Sequence, residues 1–275
     1  MMTDPYNERW LERLNTDGGP CAENRYLLVD GVFIPGLHRL FNAVLPPRQA
    51  PTLLFEELPG CTEETRDVSP FLVPCDPSNP NLHRILGICS GFPMLSVIET
   101  TENRADITAR LAAWCVVAVD DQRFNLRFPD TRRLPVIFQT LTLAQQVQFA
   151  GPASRWSYID RNGDWGELAV PRTPSPIEGR PELDEQQFAR LVSASEVDEA
   201  ISILAYRATM PPSLNSRLHA DLSVALRVAK DLDWTSKLNW CESFLRDKQS
   251  QDESSVISQF ARWTAQSTLA EQESL

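Results

Sequence analysis

The sequence predicts a mixed α/β lobe followed by a smaller all-α lobe. Two observations carry that prediction. From residue 25 to residue 170, short runs rich in Val, Leu, Ile and Phe, bounded by Gly and Pro, alternate with amphipathic segments. At residues 171–182 the composition turns to a Pro-rich linker, and beyond it only helical periodicity remains. The expected organisation is an α/β domain over 1–170, a linker over 171–182 and a helical lobe over 183–275. With 275 residues, 42% of them hydrophobic, the chain can bury a core without a metal or disulfide staple.

The elements follow in chain order. Tyr6, Trp10, Leu11 and Leu14 are spaced for a short amphipathic helix, ended by Asp17-Gly-Gly-Pro20. Arg25–Asp30 reads as a buried strand. A helix then begins near Phe33 and stops at Pro46-Pro47. Thr52–Glu56 is a second strand and Phe71–Cys75 a third, whose Pro74 points to an edge or a strand end. Pro80 opens a helix with Leu82, Ile85 and Leu86 on one face, and Met94–Ile98 is a fourth strand. Thr101–Ala113 is helical.

Cys115–Val119 and Phe124–Phe128 read as a hairpin with Asp120–Arg123 as its turn. Asp130 is placed to cap a short helix through Ile137, interrupted by Pro135. Thr142 caps another helix, and Gly151 ends it. Arg155–Ile159 and Trp165–Val170 pair across Asn162-Gly163, a two-residue turn signal. After the linker, Asp184 and Gln187 form a capping-box pattern and Ser195 caps a second helix. Pro211-Pro212 interrupt the chain, and three more helices follow, carrying Leu218/Leu222/Leu226, Trp234/Leu238/Cys241/Leu245 and Val256/Phe260/Trp263.

Composition excludes several functions. A net charge of −11 argues against nucleic-acid binding and against anchoring on anionic lipid. Basic residues are 23 Arg against 3 Lys. Codon composition is the plainer reading of that bias, and interface chemistry the other, since Arg suits flat, bidentate contacts. The six cysteines show no C-x-x-C spacing, which fits reduced thiols in a cytoplasmic protein. No basic segment leads into an apolar core at the start, and no run of about 18 apolar residues occurs. Neither a secretory leader nor a membrane span is expected.

Candidate chemistry is sparse. Gly87-Ile-Cys89-Ser-Gly91 has nucleophile-elbow spacing with Cys in place of Ser. The elbow needs a strand before it and a helix after it, and here the order is reversed. Asp160-Arg-Asn162-Gly-Asp164 resembles the start of a calcium loop. Such a loop needs Gly at its sixth position and Glu at its twelfth, which are Trp165 and Pro171 here. His38, His83 and the pair Asp120-Asp121 lack the partners that catalysis or a metal would require. No phosphate-binding or dinucleotide-binding glycine motif is present, so no cofactor is expected.

Four pieces in order carry a resemblance. They are Leu28-Val-Asp30-Gly31, Pro70-Phe-Leu-Val73, Arg127-Phe128-Pro129-Asp130-Thr131-Arg132, and Phe149-Ala-Gly151-Pro152-Ala-Ser-Arg-Trp156. Together they resemble the effector adaptor (chaperone) family of the bacterial type VI secretion system, catalogued as a domain of unknown function. The chain departs from that family's corner at Pro129 and Thr131, where an aromatic residue and a proline are usual. The resemblance covers roughly residues 25–165. It implies a non-enzymatic cytoplasmic protein that binds a toxic effector and loads it onto the spike protein of the secretion needle. Asp30, Gly31, Phe128, Asp130, Arg132, Gly151, Pro152 and Trp156 are then a structural signature. Trp234, Trp240, Phe260 and Trp263 are the candidate partner-binding residues, with Trp240 expected to be exposed because it lies off the apolar stripe of its helix. The alternatives are a Cys89 hydrolase and a self-associating component of the secretion apparatus.

Overall fold

The apolar runs of the first lobe become strands because both of their faces are covered. A computed structural model describes residues 2–15, 24–56, 58–171, 179–207, 216–246 and 253–273, with side chains to residue 266. Its strands are β1 Asn24–Val29, β2 Thr52–Leu53, β3 Phe71–Pro74, β4 Leu95–Thr100, β5 Val116–Val119, β6 Gln122–Asn125, β7 Ala153–Ile159 and β8 Trp165–Glu167. Six of them form one antiparallel sheet in the order β2-β3-β1-β4-β7-β8, and β5 and β6 pair separately. The helices are α1 Trp10–Asn15, α2 Leu37–Val44, α3 Glu63–Asp67, α4 Pro80–Ile88, α5 Arg104–Trp114, α6 Leu134–Thr140, α7 Leu143–Ala150, α8 Glu185–Ser193, α9 Glu196–Tyr206, α10 Ser216–Val228, α11 Trp234–Arg246 and α12 Glu253–Glu273.

Strand side chains alternate between two cores. Tyr26, Leu28, Leu72, Ile98 and Trp156 face one core with Leu111, Trp114, Phe138 and Phe149. Leu27, Val29, Phe71, Val73, Leu95 and Val97 face the other with Phe41, Leu82, Ile85 and Leu86. Helices thus lie on both faces of the sheet, which explains why the strands read as continuous apolar runs rather than as alternating ones.

The chain divides into two compact units, Met1–Ser193 and Ala194–Leu275. The second unit begins later than residue 183, because α8 is tied to the first. The Asp184–Gln187 capping box forms as expected, with Gln187 N donating to Asp184 Oδ1 (2.7 Å) and Asp184 N to Gln187 Oε1 (3.0 Å). Gln187 Nε2 also donates to Thr140 O and to Gln145 Oε1, and Phe188 packs on Phe124 with ring centres 4.3 Å apart. Gln145 closes the capping box of Thr142 on α7. The two boxes therefore clasp each other through their glutamines. The second unit holds α9 to α12 around Leu204, Leu222, Ala225, Trp240, Cys241 and Phe244. Residues 172–178 of the linker, Asp17-Gly-Gly-Pro20 and Pro211-Pro212 lie outside the described residues.

Several local expectations change for identifiable reasons. The helix expected near Phe33 is a 3₁₀ turn over Gly31–Phe33. The α-helix starts only at Leu37, because Pro35 disfavours helical geometry at Ile34 and Gly36 sits at φ +76°. The second strand shortens to Thr52–Leu53. The β5–β6 turn is Asp120-Asp121 alone, with Asp120 at φ +49°, so β6 ends at Asn125 and Phe128 is free to enter the core. Pro135 stands in the first turn of α6, where its missing N–H costs nothing, and does not interrupt it. The loop after β7 spans Asp160–Asp164. Gly163 N donates to Asp160 O and Asp160 N to Asp164 O, and Gly163 is at φ +78°. That is a three-residue loop with a glycine bulge rather than a two-residue turn. Its glycine also makes room for the N-terminal segment, since a Cβ there would lie 1.9 Å from Pro5 O.

Candidate functional site

The two acidic signature stretches meet in space although they lie far apart in the chain. Asp30 follows β1, and its Oδ1 accepts from Val32 N (3.1 Å), turning the backbone into the 3₁₀ segment. Its Oδ2 accepts from Arg127 Nη2 at 2.9 Å. Asp130 accepts from Arg132 through both oxygens, at 3.0 Å from Nε and 2.7 Å from Nη2, and from Arg132 N at 3.1 Å. Both carboxylates are almost fully buried, while the Arg127 side chain is 40% exposed and Arg132 14%. The two guanidinium carbons stand 5.4 and 5.5 Å from the centre of the Phe33 ring, within cation–π range. Burial pushes the Asp30 carboxyl above its ordinary range, and the Arg127 cation opposes that shift. Asp130 does not cap α6 with its side chain. Its carboxylate is spent on Arg132, and its main-chain oxygen takes the N–H groups of Arg133 and Leu134.

The remaining signature residues support this corner. Gly31 is required because a Cβ there would stand 2.3 Å from Ser69 O. Phe128 and Phe149 meet edge to face at 5.2 Å, and Phe149 stacks on Trp156 at 5.0 Å. The Trp156 indole N–H donates to Ser96 Oγ at 3.2 Å. Gly151 ends α7 at φ +58°, and a Cβ there would meet the Arg110 guanidinium at 2.5 Å. Arg110 bonds Phe149 O and pairs with Glu102, which joins α5 to the end of α7. Pro152 is exposed in the turn before β7.

Other sequence candidates turn out to be structural. Cys89 is fully buried at the C-terminal end of α4, and burial raises its thiol to about 12. An activated cysteine needs a lowered value and access, so Cys89 has neither property of a nucleophile. Asp160 Oδ1 accepts from Asn162 N (2.8 Å) and Asp164 N (3.0 Å), so this carboxylate organises its own loop. Among the described residues no three His, Cys, Asp or Glu side chains converge so as to hold a metal, and no helix is long and apolar enough to cross a membrane.

In the second unit the expected exposure of Trp240 is overturned. Trp240 is 1% exposed, and its indole N–H donates to Ala225 O at 3.0 Å. Trp240 thus reaches α10 through Ala225 on one side and is covered by α12 through Phe260 (5.2 Å) and Trp263 (5.8 Å) on another. One helix stripe cannot account for a residue covered from two sides. Trp234, Phe260 and Trp263 are partly buried against the same core.

Sequence reasoning missed Phe33 as the platform for two arginines. It also missed Glu99, which is buried on β4 between Arg25 of β1 (3.3 Å) and Arg155 of β7 (3.4 Å). The signal for Glu99 was a charged residue at the end of an apolar strand, and it becomes meaningful only once the register pairs it with arginine on both sides.

Comparison with known proteins gives one match. Residues 25–148 match the family model described as "Domain of unknown function (DUF4123)". No curated protein and no solved structure matches the chain.

Proposed function

We propose that this chain is an effector adaptor of a type VI secretion system. It holds a toxic effector in the cytoplasm and delivers it to the spike protein, and it carries out no chemistry itself. The observation that carries this reading is the family match over residues 25–148, the stretch that contains most of the signature. The roles of the signature residues support it. Asp30 and Asp130 are engaged by arginines, Phe128 and Trp156 are core, and Gly31 and Gly151 permit close backbone approach. These are the requirements of a shared scaffold.

The test is co-expression of the full chain with the proteins encoded by the genes next to its own, a toxin and a spike protein on the adaptor reading, followed by purification on a tag carried by the chain. A stable complex with the toxin, joined by the spike protein, is the expected result. A folded chain that retains neither one ends the adaptor reading.

A further inference from the structure

Residues 2–6 form no regular secondary structure and lie as a strap across two loops. Met2 N and Thr3 N both donate to Gly91 O (2.8 and 3.2 Å), in the turn between α4 and β4, and Tyr6 N donates to Ser90 Oγ (3.0 Å) beside it. Asp4 N donates to Arg161 O (2.9 Å), in the loop between β7 and β8. Gly163 of that loop lies against Pro5 O, where a Cβ would stand 1.9 Å away. The Tyr6 side chain packs on the core that holds Cys89.

Closing the strap has a cost. Thr3 Oγ1 and the Tyr6 hydroxyl are both shut off from the surface, and neither makes a hydrogen bond among the described residues. A buried polar group without a partner is costly, and water serves both hydroxyls once the strap lifts. From Asn7 onwards the fastening is different. Asn7 N donates to Gly163 O (2.9 Å) and Asn7 Nδ2 to Asp164 Oδ1 (2.8 Å). Leu14 is buried, Trp10 O accepts from the Trp165 indole (3.0 Å), and Leu14 O accepts from Arg25 Nη1 (2.6 Å). Arg13 pairs with Glu167 at 2.7 Å.

We infer that residues 2–6 open and close as one unit, with the joint at Asn7, while α1 stays docked. Closed, the strap ties the turn at Ser90-Gly91 to the loop at Arg161. Open, it releases the two from each other and uncovers the core beneath Tyr6. A fraying end loses its contacts one by one. Here bonds to two separate loops and two enclosed hydroxyls change together.

The experiment is native-state amide hydrogen exchange on the full chain, read at Thr3, Asp4 and Tyr6 in the strap, at Leu14 in α1 and at Leu28 in β1. The three strap amides are expected to share one protection factor, about tenfold below that of Leu14 and about a hundredfold below that of Leu28. Tyr6→Phe and Thr3→Val each remove an unmatched hydroxyl and keep the bulk of the side chain, so each raises the shared value about tenfold. Gly163→Ala puts a methyl group against Pro5 O and lowers it at all three positions together. Leu28 reports in every variant that the sheet is folded. Protection that declines step by step from Tyr6 to Thr3 overturns the inference, as does a strap that exchanges only together with Leu28. Unchanged or lower protection in Tyr6→Phe and Thr3→Val overturns it too, because the hydroxyls are then matched in the closed state.

Discussion

Each unit contains a cluster of aromatic rings, and the two clusters are built differently. In the first unit Trp114, Phe128, Phe149 and Trp156 are each 1% exposed or less. In the second, Trp240 and Phe244 are buried, while Phe260 and Trp263 are only partly so. The cause is architectural. A sheet offers a broad surface that several helices cover at once, so rings on it are sealed. Two neighbouring helices meet along a line and leave the flanks of large side chains open. The same residue types are therefore fully sealed in one unit and only partly covered in the other.

The largest effect that separates the clusters is on stability. Phe149 touches Trp114, Phe128 and Trp156, so Phe149→Ala is expected to cost about 3–5 kcal/mol in chemical denaturation. Trp263→Ala should cost less than half as much, and equal losses would erase the distinction. Next in size is Asp130→Ala, which strips a bidentate partner from Arg132, itself only 14% exposed. A loss of about 3 kcal/mol is expected. A loss within experimental error would mean that the corner does not lock the strand-to-helix turn. Smaller again is Trp240→Phe, which keeps most of the ring but removes the indole donor to Ala225 O. The denaturation midpoint should fall by the equivalent of about 1–2 kcal/mol.

The finest test is one of slope with pH. Burial raises the Asp30 carboxyl, against the pull of Arg127, so protonation of this group favours the folded state. Its contribution is fully present below the ordinary carboxylate value of about 4 and is lost as pH rises through the raised folded value. Asp30→Asn should flatten stability against pH over that window. An unchanged slope would show that Asp30 titrates in the folded chain as it does when unfolded.

Much of the fold was legible because its determinants are local. Thr142 closes a box with Gln145, and Asp184 closes one with Gln187. In each case the bonded groups lie within one helical turn, so residue type and spacing suffice. The pairing of Asp130 with Arg132 is legible for the same reason. Proline and glycine were harder to place. Pro135 looked like a breaker and is an opening residue, and Pro35-Gly36 delayed a helix that the apolar spacing alone would have started earlier.

What the sequence determined by itself was the set of apolar runs, the capping boxes at Thr142 and Asp184, the family resemblance and the division into a sheet-bearing and a helical part. Only the tertiary structure decided which buried charges meet. Arg127 reaches Asp30 across 97 residues, and Arg155 reaches Glu99 across 56. It also decided which aromatic rings are sealed, as the reversal for Trp240 shows. Local hydrogen bonds depend on a few neighbouring dihedral angles. Burial and long-range pairing depend on which other element covers a side chain, and spacing along one helix carries no information about that.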